Sequence, residues 1–137
     1  MNKVNTIMII DDDPDDRNIF HEAVNEVNPA IRFSVASSGE QAMQRLLNDD
    51  RFVFPDLIFL DLNMPRINGI ECLRKIKKEK KLAHIPVIIY STTMNPDDER
   101  LAKEAGALNF LPKPLLFSEI CDSITAAINA MEKDVSE

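Results

Sequence analysis

The stretch that decides the fold is FPDLIFLDLNMPRING, residues 54–69. Its apolar run, residues 57–60, is too short for a helix and suits a strand that is buried on both faces. The run ends abruptly at Asp61. In open α/β sheets ligands bind at the carboxyl ends of the strands, so we expect Asp61 to carry chemistry. The alternative is that Asp61 caps the next helix, but a loop containing Pro65 and Gly69 stands between them.

Length and composition are those of one globular domain. The chain has 137 residues, of which 45% are hydrophobic and 28% are charged, as is usual for a folded protein. We place a single domain at residues 1–137, with a core from about 4 to 131 and a polar tail from about 132 to 137. No apolar run is long enough for a membrane span and the amino terminus is not signal-like. We therefore expect a cytoplasmic protein that does not bind membranes.

The charge pattern argues against nucleic-acid binding. A formal net charge of −7 repels phosphate backbones. The basic cluster at residues 74–81 is preceded and interrupted by Leu73 and Ile76 at helical spacing, which favours a solvated helix face over a polyanion site. Cys72 and Cys121 lie in apolar periodic segments without a Cys-x-x-Cys partner, so we predict no zinc site.

A second acidic stretch follows the first apolar run of the chain. It reads DDDPDD, residues 11–16. Pro14 fits the first position of a helix, Asp13 fits its N-cap, and the last two acids suit the positive end of the helix. Capping does not explain Asp11 and Asp12. Because they stand at the end of the first strand, they are also candidate functional groups.

Five apolar, strand-like runs alternate with five helical stripes along the chain. This repeat requires a parallel sheet with helices on both faces. The first, third and fourth runs are the most apolar and should be central. The alternating second run should be an edge, as should the fifth, residues 107–111, which is broken at Pro112. Right-handed crossovers then favour strand order 2-1-3-4-5, a doubly wound, flavodoxin-like (βα)5 fold.

The helical stripes predict which side chains face the sheet. In the first helix they are Ile19, Phe20, Ala23, Val24 and Val27. In the fourth helix they are Leu101 and Ala105, and the stripe of the fifth helix begins at Phe117.

Polar side chains at four predicted strand ends should converge at one edge of the sheet. They are Asp11 with Asp12, Asp61, Ser91 and Lys113. Three carboxylates this close raise one another's pKa values unless a cation is present. Oxygen donors without soft ligands favour Mg²⁺. Lys113 and the Ser91 hydroxyl could then bind the oxygens of a phosphoryl group attached to Asp61.

Together these motifs resemble the receiver domain of two-component response regulators. The resemblance runs from about Val4 to Ile128, nearly the whole chain. It rests on IIDDD at residues 9–13, LDLNMP at residues 60–65 followed by Gly69, IYST at residues 89–92, Gly106-Ala107 and Lys113-Pro114. The loop at residues 65–69, with the long third-helix region after it, looks most like stand-alone regulators of the phytochrome-partner type.

The resemblance implies a role for each matching residue. Asp61 would accept phosphate from a histidine kinase or phosphotransfer protein. Asp11, Asp12 and Asp61 would bind Mg²⁺, together with the backbone carbonyl of Asn63. The switch hydroxyl, the phosphate-binding lysine and the switch aromatic would be Ser91, Lys113 and Phe110. Phosphorylation would pull Ser91 toward the phosphate and let Phe110 turn inward. The Lys113-Pro114 peptide is implied to be cis.

The sequence departs from the family pattern at four positions. Ser91 stands in place of the commoner Thr and keeps the hydroxyl. Thr92 occupies a position where a small residue is usual, which would narrow access to the phosphate. Phe110 lacks a phenol, which excludes a contact through a ring hydroxyl. Pro112 is unusual just before the lysine and is tolerable only in an edge strand.

Three other functions have to be weighed. Phosphatases of the haloacid-dehalogenase type also use a strand-end Asp, but their nucleophile is followed two residues later by a second Asp that acts as acid and base. Here that position is Asn63, and an amide cannot shuttle a proton, so an acyl phosphate should persist. A flavin or nucleotide carrier would need a phosphate-cradling loop, and the three glycines are scattered. A pseudo-receiver that binds partners without phosphorylation remains, although every group for phosphorylation is present.

We therefore predict a signalling acceptor rather than an enzyme. No DNA-binding or catalytic segment follows Met131, so the output should pass through an unidentified protein partner. We expect a monomer, or a weak dimer formed through the face of the fourth helix, fifth strand and fifth helix.

Overall fold

Strands and helices alternate along the chain in five βα units. The computed structural model describes residues 3–48, 53–64, 68–92 and 95–133. The elements are β1 (Thr6–Ile10), α1 (Pro14–Val27), β2 (Arg32–Ala36), α2 (Gly39–Asn48), β3 (Leu57–Leu60), α3 (Gly69–Lys78), β4 (Val87–Ser91), α4 (Pro96–Glu104), β5 (Asn109–Pro112) and α5 (Phe117–Lys133). The predicted loop residues 65–67 and tail residues 134–137 lie outside the described residues.

The strands form one parallel sheet in the order β2-β1-β3-β4-β5. This confirms the predicted fold class. Every residue of β1, β3 and β4 is buried, because helices cover both faces of the central strands. The edge strands β2 and β5 are partly exposed.

A separate apolar cluster covers each face of the sheet. The α1 and α5 side contains Phe20, Phe59 and Tyr90, whose ring centroids lie 4.8 to 5.8 Å apart. The α2, α3 and α4 side contains Leu73 and Phe110. Burying one such side chain stabilises the fold by roughly 1.5–3 kcal/mol, so both clusters hold the strands in register.

Polar side chains cap the starts of α1 and α4, and the sequence predicts the first of these caps. The carboxylate of Asp13 accepts hydrogen bonds from the backbone N–H groups of Asp15 and Asp16, at 2.9 and 3.3 Å. Asn95 caps α4 in the same way, by accepting from the N–H of Asp98 at 2.8 Å. These caps satisfy donors that a helix cannot satisfy internally. They also fix where each loop leaves the sheet.

Some predicted inward side chains are not buried. Ile19 is 40% exposed and Phe117 is 41% exposed. Ile19 precedes the buried Phe20 by one residue, which places it about 100° around the helix. Phe117 is the first residue of α5 and lies at the margin of the packed face. In α4 the buried residue is Ala102, between the two predicted positions.

The fifth strand and the segment after it differ from the sequence prediction in two ways. The strand begins at Asn109 rather than Ala107 and includes Pro112. Pro112 has no N–H to donate. It fits in this strand because the hydrogen bond to the Ser91 carbonyl, at 3.0 Å, is donated by the N–H of the next residue, Lys113. The described residues contain no cis peptide bond, so the cis Lys113-Pro114 prediction is wrong. The trans form is intrinsically favoured by about 0.5–1 kcal/mol before proline.

Candidate functional site

Backbone hydrogen bonds carry the sheet one residue past its strand ends, and this positions the predicted site. The N–H of Asp11 donates to the Ala36 carbonyl, that of Asp61 to the Ile10 carbonyl, and that of Lys113 to the Ser91 carbonyl, each at 3.0 Å. The three charged residues are therefore fixed by the sheet rather than by flexible loops. They lie at the same edge, as the βα repeat predicts.

The Lys113 ammonium lies among three carboxylates. Its Nζ is 2.6 Å from Asp11 Oδ2, 2.9 Å from Asp16 Oδ2 and 3.4 Å from Asp61 Oδ2. The Lys113 side chain is only 9% exposed, and those of Asp11 and Asp61 are 0% and 7% exposed. An ammonium has three donors, so each carboxylate can accept one.

Burial and pairing set the protonation of this cluster. Burial alone favours the neutral amine of Lys113, but the hydrogen bonds that it donates to Asp11 and Asp16 and the attraction of nearby carboxylates outweigh the effect of burial and raise the pKa of Lys113. Burial raises the pKa of Asp11, and the hydrogen bonds from Lys113 and from the Asp13 backbone oppose this only in part. The Asp61 charge raises it further. Lys113 therefore stays charged. Asp11 is the carboxylate whose ionised form is disfavoured by its burial.

Asp11, Asp12 and Asp61 form a group that fits a cation. One carboxylate oxygen from each lies within 4.8 Å of the others. Asp12 is exposed, which leaves a side of the group open to solvent. The donors are all hard oxygens, which suits Mg²⁺ or Mn²⁺ and not a soft metal. Asn63, whose carbonyl is the fourth predicted ligand, follows Asp61 closely, and its N–H donates to Asp61 Oδ1 at 3.1 Å.

A side-chain hydrogen bond links the loop after β3 to the end of β4. The amide Nδ2 of Asn63 donates to Ser91 Oγ at 3.0 Å. Ser91 is fully buried. The sequence predicts a ligand role for the Asn63 backbone carbonyl, but it does not predict this hydrogen bond from the Asn63 side chain to Ser91.

Gly69 makes room for the loop that holds Asp61. A Cβ atom at this position would lie 2.5 Å from Leu62 Cα and 2.6 Å from the Asp61 carbonyl oxygen. Both contacts are with backbone, so a side chain here would push the loop away. The Gly69 N–H also donates to the Leu62 carbonyl at 3.1 Å. The glycine is therefore required by close approach rather than by a special backbone angle.

The predicted switch aromatic is already directed into the core. Phe110 is 6% exposed and belongs to the apolar cluster that includes Ile89 and Ala102. In the sheet Phe110 pairs with Ile89, and Pro112 pairs with Ser91. The ring is thus close in sequence and register to the site, but no inward rotation is required to bury it.

Two more residues contact the site that sequence reasoning did not place there. Asp16 was explained by its position at the positive end of α1, yet its carboxylate binds Lys113. Arg17 Nη1 donates to the Asp11 backbone carbonyl at 2.7 Å. Their spacing after Asp13, in the first turn of a helix that starts at the site, is the only sequence signal that could have found them.

The family model of the response regulator receiver domain matches residues 7–125. The chain belongs to this family. No helix within the described part of this receiver is long and apolar enough to cross a membrane.

Some curated relatives are much longer than this chain, whereas another has a similar length. The chain is 35% identical over 111 residues to a probable cyclic di-GMP phosphodiesterase of Vibrio cholerae, covering 80% of the chain and 23% of that relative. It is 30% identical over 114 residues to the two-component response regulator ORR8 of rice, covering 83% of the chain and 90% of ORR8. It is 34% identical over 135 residues to protein-glutamate methylesterase/protein-glutamine glutaminase 3 of Rhodopseudomonas palustris, covering 90% of the chain and 35% of that relative. The chain thus spans only about a quarter to a third of the phosphodiesterase and the methylesterase, so their whole-protein activities do not transfer directly.

Solved structures agree with the fold. The phosphorylated cyanobacterial phytochrome response regulator RcpA superposes with a TM-score of 0.85 at 25% identity, covering 96% of both chains. The Mn²⁺-bound form of the response regulator Rcp1 gives 0.79 at 25% identity, covering 91% of this receiver and 92% of Rcp1. The fold and the family therefore rest on independent likenesses in sequence and in structure.

Proposed function

We propose that this receiver accepts a phosphoryl group on Asp61 from a histidine kinase or phosphotransfer protein. The observation that carries the proposal is the environment of Asp61. The Asp61 side chain is 7% exposed, has an oxygen within 4.8 Å of carboxylate oxygens of Asp11 and Asp12, and lies 3.4 Å from a charged lysine. A carboxylate so placed has both a counter-charge and partners for the oxygens of an incoming phosphoryl group.

In the proposed reaction a carboxylate oxygen of Asp61 forms a bond to phosphorus while the bond from phosphorus to the donor nitrogen breaks. The donor imidazole leaves with the electron pair. Lys113 would bind a phosphoryl oxygen, and the Ser91 hydroxyl would turn from Asn63 toward another. Mg²⁺ held by Asp11, Asp12, Asp61 and the Asn63 carbonyl would neutralise the developing charge on the phosphoryl oxygens. This Mg²⁺ set is supported by the donor chemistry and by the Mn²⁺-bound relative.

The same residues favour a persistent acyl phosphate over an enzyme. The side chain two positions after Asp61 is the amide of Asn63, which cannot exchange a proton with an attacking water. That amide is also engaged with Ser91. We propose that this receiver is an acceptor that loses its phosphate slowly, not a phosphatase of the haloacid-dehalogenase type. A pseudo-receiver, which would never be phosphorylated, is the remaining alternative.

The output would pass through the α4-β5-α5 face. Ser91 is paired with Pro112 in the sheet, so a movement of Ser91 would displace the neighbouring strand β5. Phe110 is already buried, which means that the expected inward turn of its ring is replaced by a shift of β5 and α4 around it. Leu108 and Leu111 beside α5 line an apolar groove of about 820 Å³ on this face. A protein partner or a second copy of the receiver could bind there, in the cytoplasm.

The input would come from a histidine kinase of the phytochrome type. This is supported by the likeness to the phytochrome response regulator RcpA, which covers 96% of the chain.

The deciding experiment is incubation with a small phosphodonor, acetyl phosphate, in the presence of Mg²⁺, followed by intact-mass measurement. We expect the mass of one phosphoryl group to be added and to be removed by hydroxylamine. Asp61→Asn should abolish the adduct, whereas Asp56→Asn, at the other end of the same strand, should retain it. A hydroxylamine-labile adduct that survives Asp61→Asn would place the acceptor elsewhere. The absence of any adduct on the wild type would favour the pseudo-receiver.

A further inference from the structure

Asp11, Asp12, Asp16, Asp61 and Lys113 line one acidic pocket at the carboxyl edge of the sheet. One carboxylate in this pocket has no task in the proposed reaction. Asp16 Oδ2 lies 2.9 Å from Lys113 Nζ, closer than Asp61 Oδ2 at 3.4 Å. The contact joins the first turn of α1 to the segment after β5, 97 residues apart in the chain. The Lys113 side chain is 9% exposed and that of Asp16 is 37% exposed, so the pair closes the pocket at its margin.

The other two partners of Lys113 would change during phosphorylation. Asp11 belongs to the group that could hold the cation, and Asp61 would become the acyl phosphate. Asp16 is outside that group. It is therefore the one described carboxylate contact that Lys113 can keep when the cation and the phosphoryl group take the others.

We infer that Asp16 is a positioning residue, which anchors the Lys113 ammonium beside Asp61 while the remaining partners of the lysine are exchanged. The inference rests on the proposed function, since it assigns a role within that reaction. A long lysine side chain has many rotamers. A fixed carboxylate on a rigid helix turn would restrict the ammonium to the place where a phosphoryl oxygen arrives.

The competing explanation is that Asp16 only stabilises the start of α1. Acidic residues favour the positive end of a helix wherever they point. Asp15 offers a matched control, because it lies in the same turn, has the same charge and is exposed. The cap itself uses the backbone N–H groups of both residues, so replacing either side chain leaves the cap in place.

The experiment compares Asp16→Asn with Asp15→Asn in two measurements. The first is NMR of the ¹⁵N-labelled lysine ammonium groups without phosphodonor, which reports hydrogen exchange at Lys113. We expect exchange to be unchanged in Asp15→Asn and faster in Asp16→Asn. The second is the rate of phosphorylation by acetyl phosphate with Mg²⁺. It should fall about two- to fivefold in Asp16→Asn only, since a half-exposed charged pair has a modest energy. Asp16→Glu should recover part of the rate.

Equal behaviour of the Asp16 and Asp15 variants in the NMR measurement would overturn the inference. So would a higher phosphorylation rate in Asp16→Asn, because Asp16 would then be competing with the phosphoryl group for the lysine. Failure of the proposed function can be distinguished from failure of the Asp16 anchor. If the wild type takes up no phosphoryl group, the NMR comparison still decides whether Asp16 anchors Lys113. If Asp61→Asn abolishes phosphorylation while Asp16→Asn matches Asp15→Asn, the function stands and the anchor does not.

Discussion

The two ends of β3 carry the same residue type in opposite roles. Asp56, just before the strand, accepts hydrogen bonds from the backbone N–H groups of Asn5 and Thr6 at 2.8 and 3.0 Å. Asp61, just after it, accepts a hydrogen bond from the backbone N–H of Asn63 and lies 3.4 Å from the Lys113 ammonium. Backbone donors cannot be exchanged without breaking the fold, whereas a side-chain donor can be. A side-chain partner that can be replaced therefore distinguishes Asp61, the proposed phosphoacceptor, from the structural acid Asp56.

The largest expected effect comes from removing the lysine at the carboxyl end of the sheet. Lys113→Met leaves the fully buried Asp11 without its cation, and breaking a buried pair costs about 3–5 kcal/mol of unfolding free energy. Urea unfolding at neutral pH measures this. Lys103→Met is the control, because that lysine is 63% exposed beside Glu99 and should cost less than about 1 kcal/mol. Similar costs for the two variants would contradict the account of the pocket.

Adding Mg²⁺ should stabilise the folded protein through the carboxylates at the carboxyl end of β3, and not through Asp56 at its amino end. At a tenfold excess over the dissociation constant, a cation bound only to the folded state adds about 1.4 kcal/mol. Thermal unfolding with and without Mg²⁺ measures the shift. Asp12→Asn should remove it, since Asp12 is an exposed member of the cation group, and Asp56→Asn should keep it. Stabilisation that persists in Asp12→Asn would mean that Mg²⁺ binds elsewhere.

Replacing the acid at each end of β3 by its amide should have different effects on the unfolding free energy. Asp56→Asn removes the charge from two backbone hydrogen bonds, and we expect a loss of about 1 kcal/mol. Asp61→Asn removes a negative charge that raises the pKa of the neighbouring Asp11. The unfolding free energy of Asp61→Asn should therefore fall less than that of Asp56→Asn, or should rise. Chemical unfolding of both variants without Mg²⁺ measures the difference. A greater loss in Asp61→Asn would reverse the assignment of structural and functional acid.

The smallest effect is a change in the pH dependence of stability. The pKa of Asp11 is raised above its ordinary value of 3.8 by burial. The folded state therefore binds this proton more tightly than the unfolded state does. Stability from this group is fully present below pH 3.8 and is lost as the pH rises through the raised pKa. We expect the unfolding free energy of the wild type minus that of Asp11→Asn to decrease over this range, and a flat difference would contradict the shift.

Much of the architecture could be predicted from local patterns. The alternation of apolar runs and helical stripes gives the strand order, and the strand ends give the positions of Asp61, Ser91 and Lys113. These follow from sequence because burial on both faces and the period of a helix are local properties. The N-cap at Asp13 is equally local.

The features that could not be predicted depend on contacts between distant elements. The pairing of Asp16 with Lys113 joins two ends of the chain, and helix stability alone already explains an acid at that position. The link from Asn63 to Ser91 depends on the distance between β3 and β4 after folding. The exposure of Ile19 depends on how far around α1 its packed face extends. Local patterns carry none of this information.

The first and last described segments are fastened together, away from the pocket. The Val4 N–H donates to the Glu132 carboxylate at 3.0 Å. This contact lies at the amino edge of the sheet, opposite Asp61. A reporter protein joined directly to residue 3 or to residue 133 would thus begin near this contact and leave the approach of a phosphate donor to Asp61 clear. A circularly permuted receiver, with residues 3 and 133 joined by a short linker, should keep the phosphorylation proposed for Asp61.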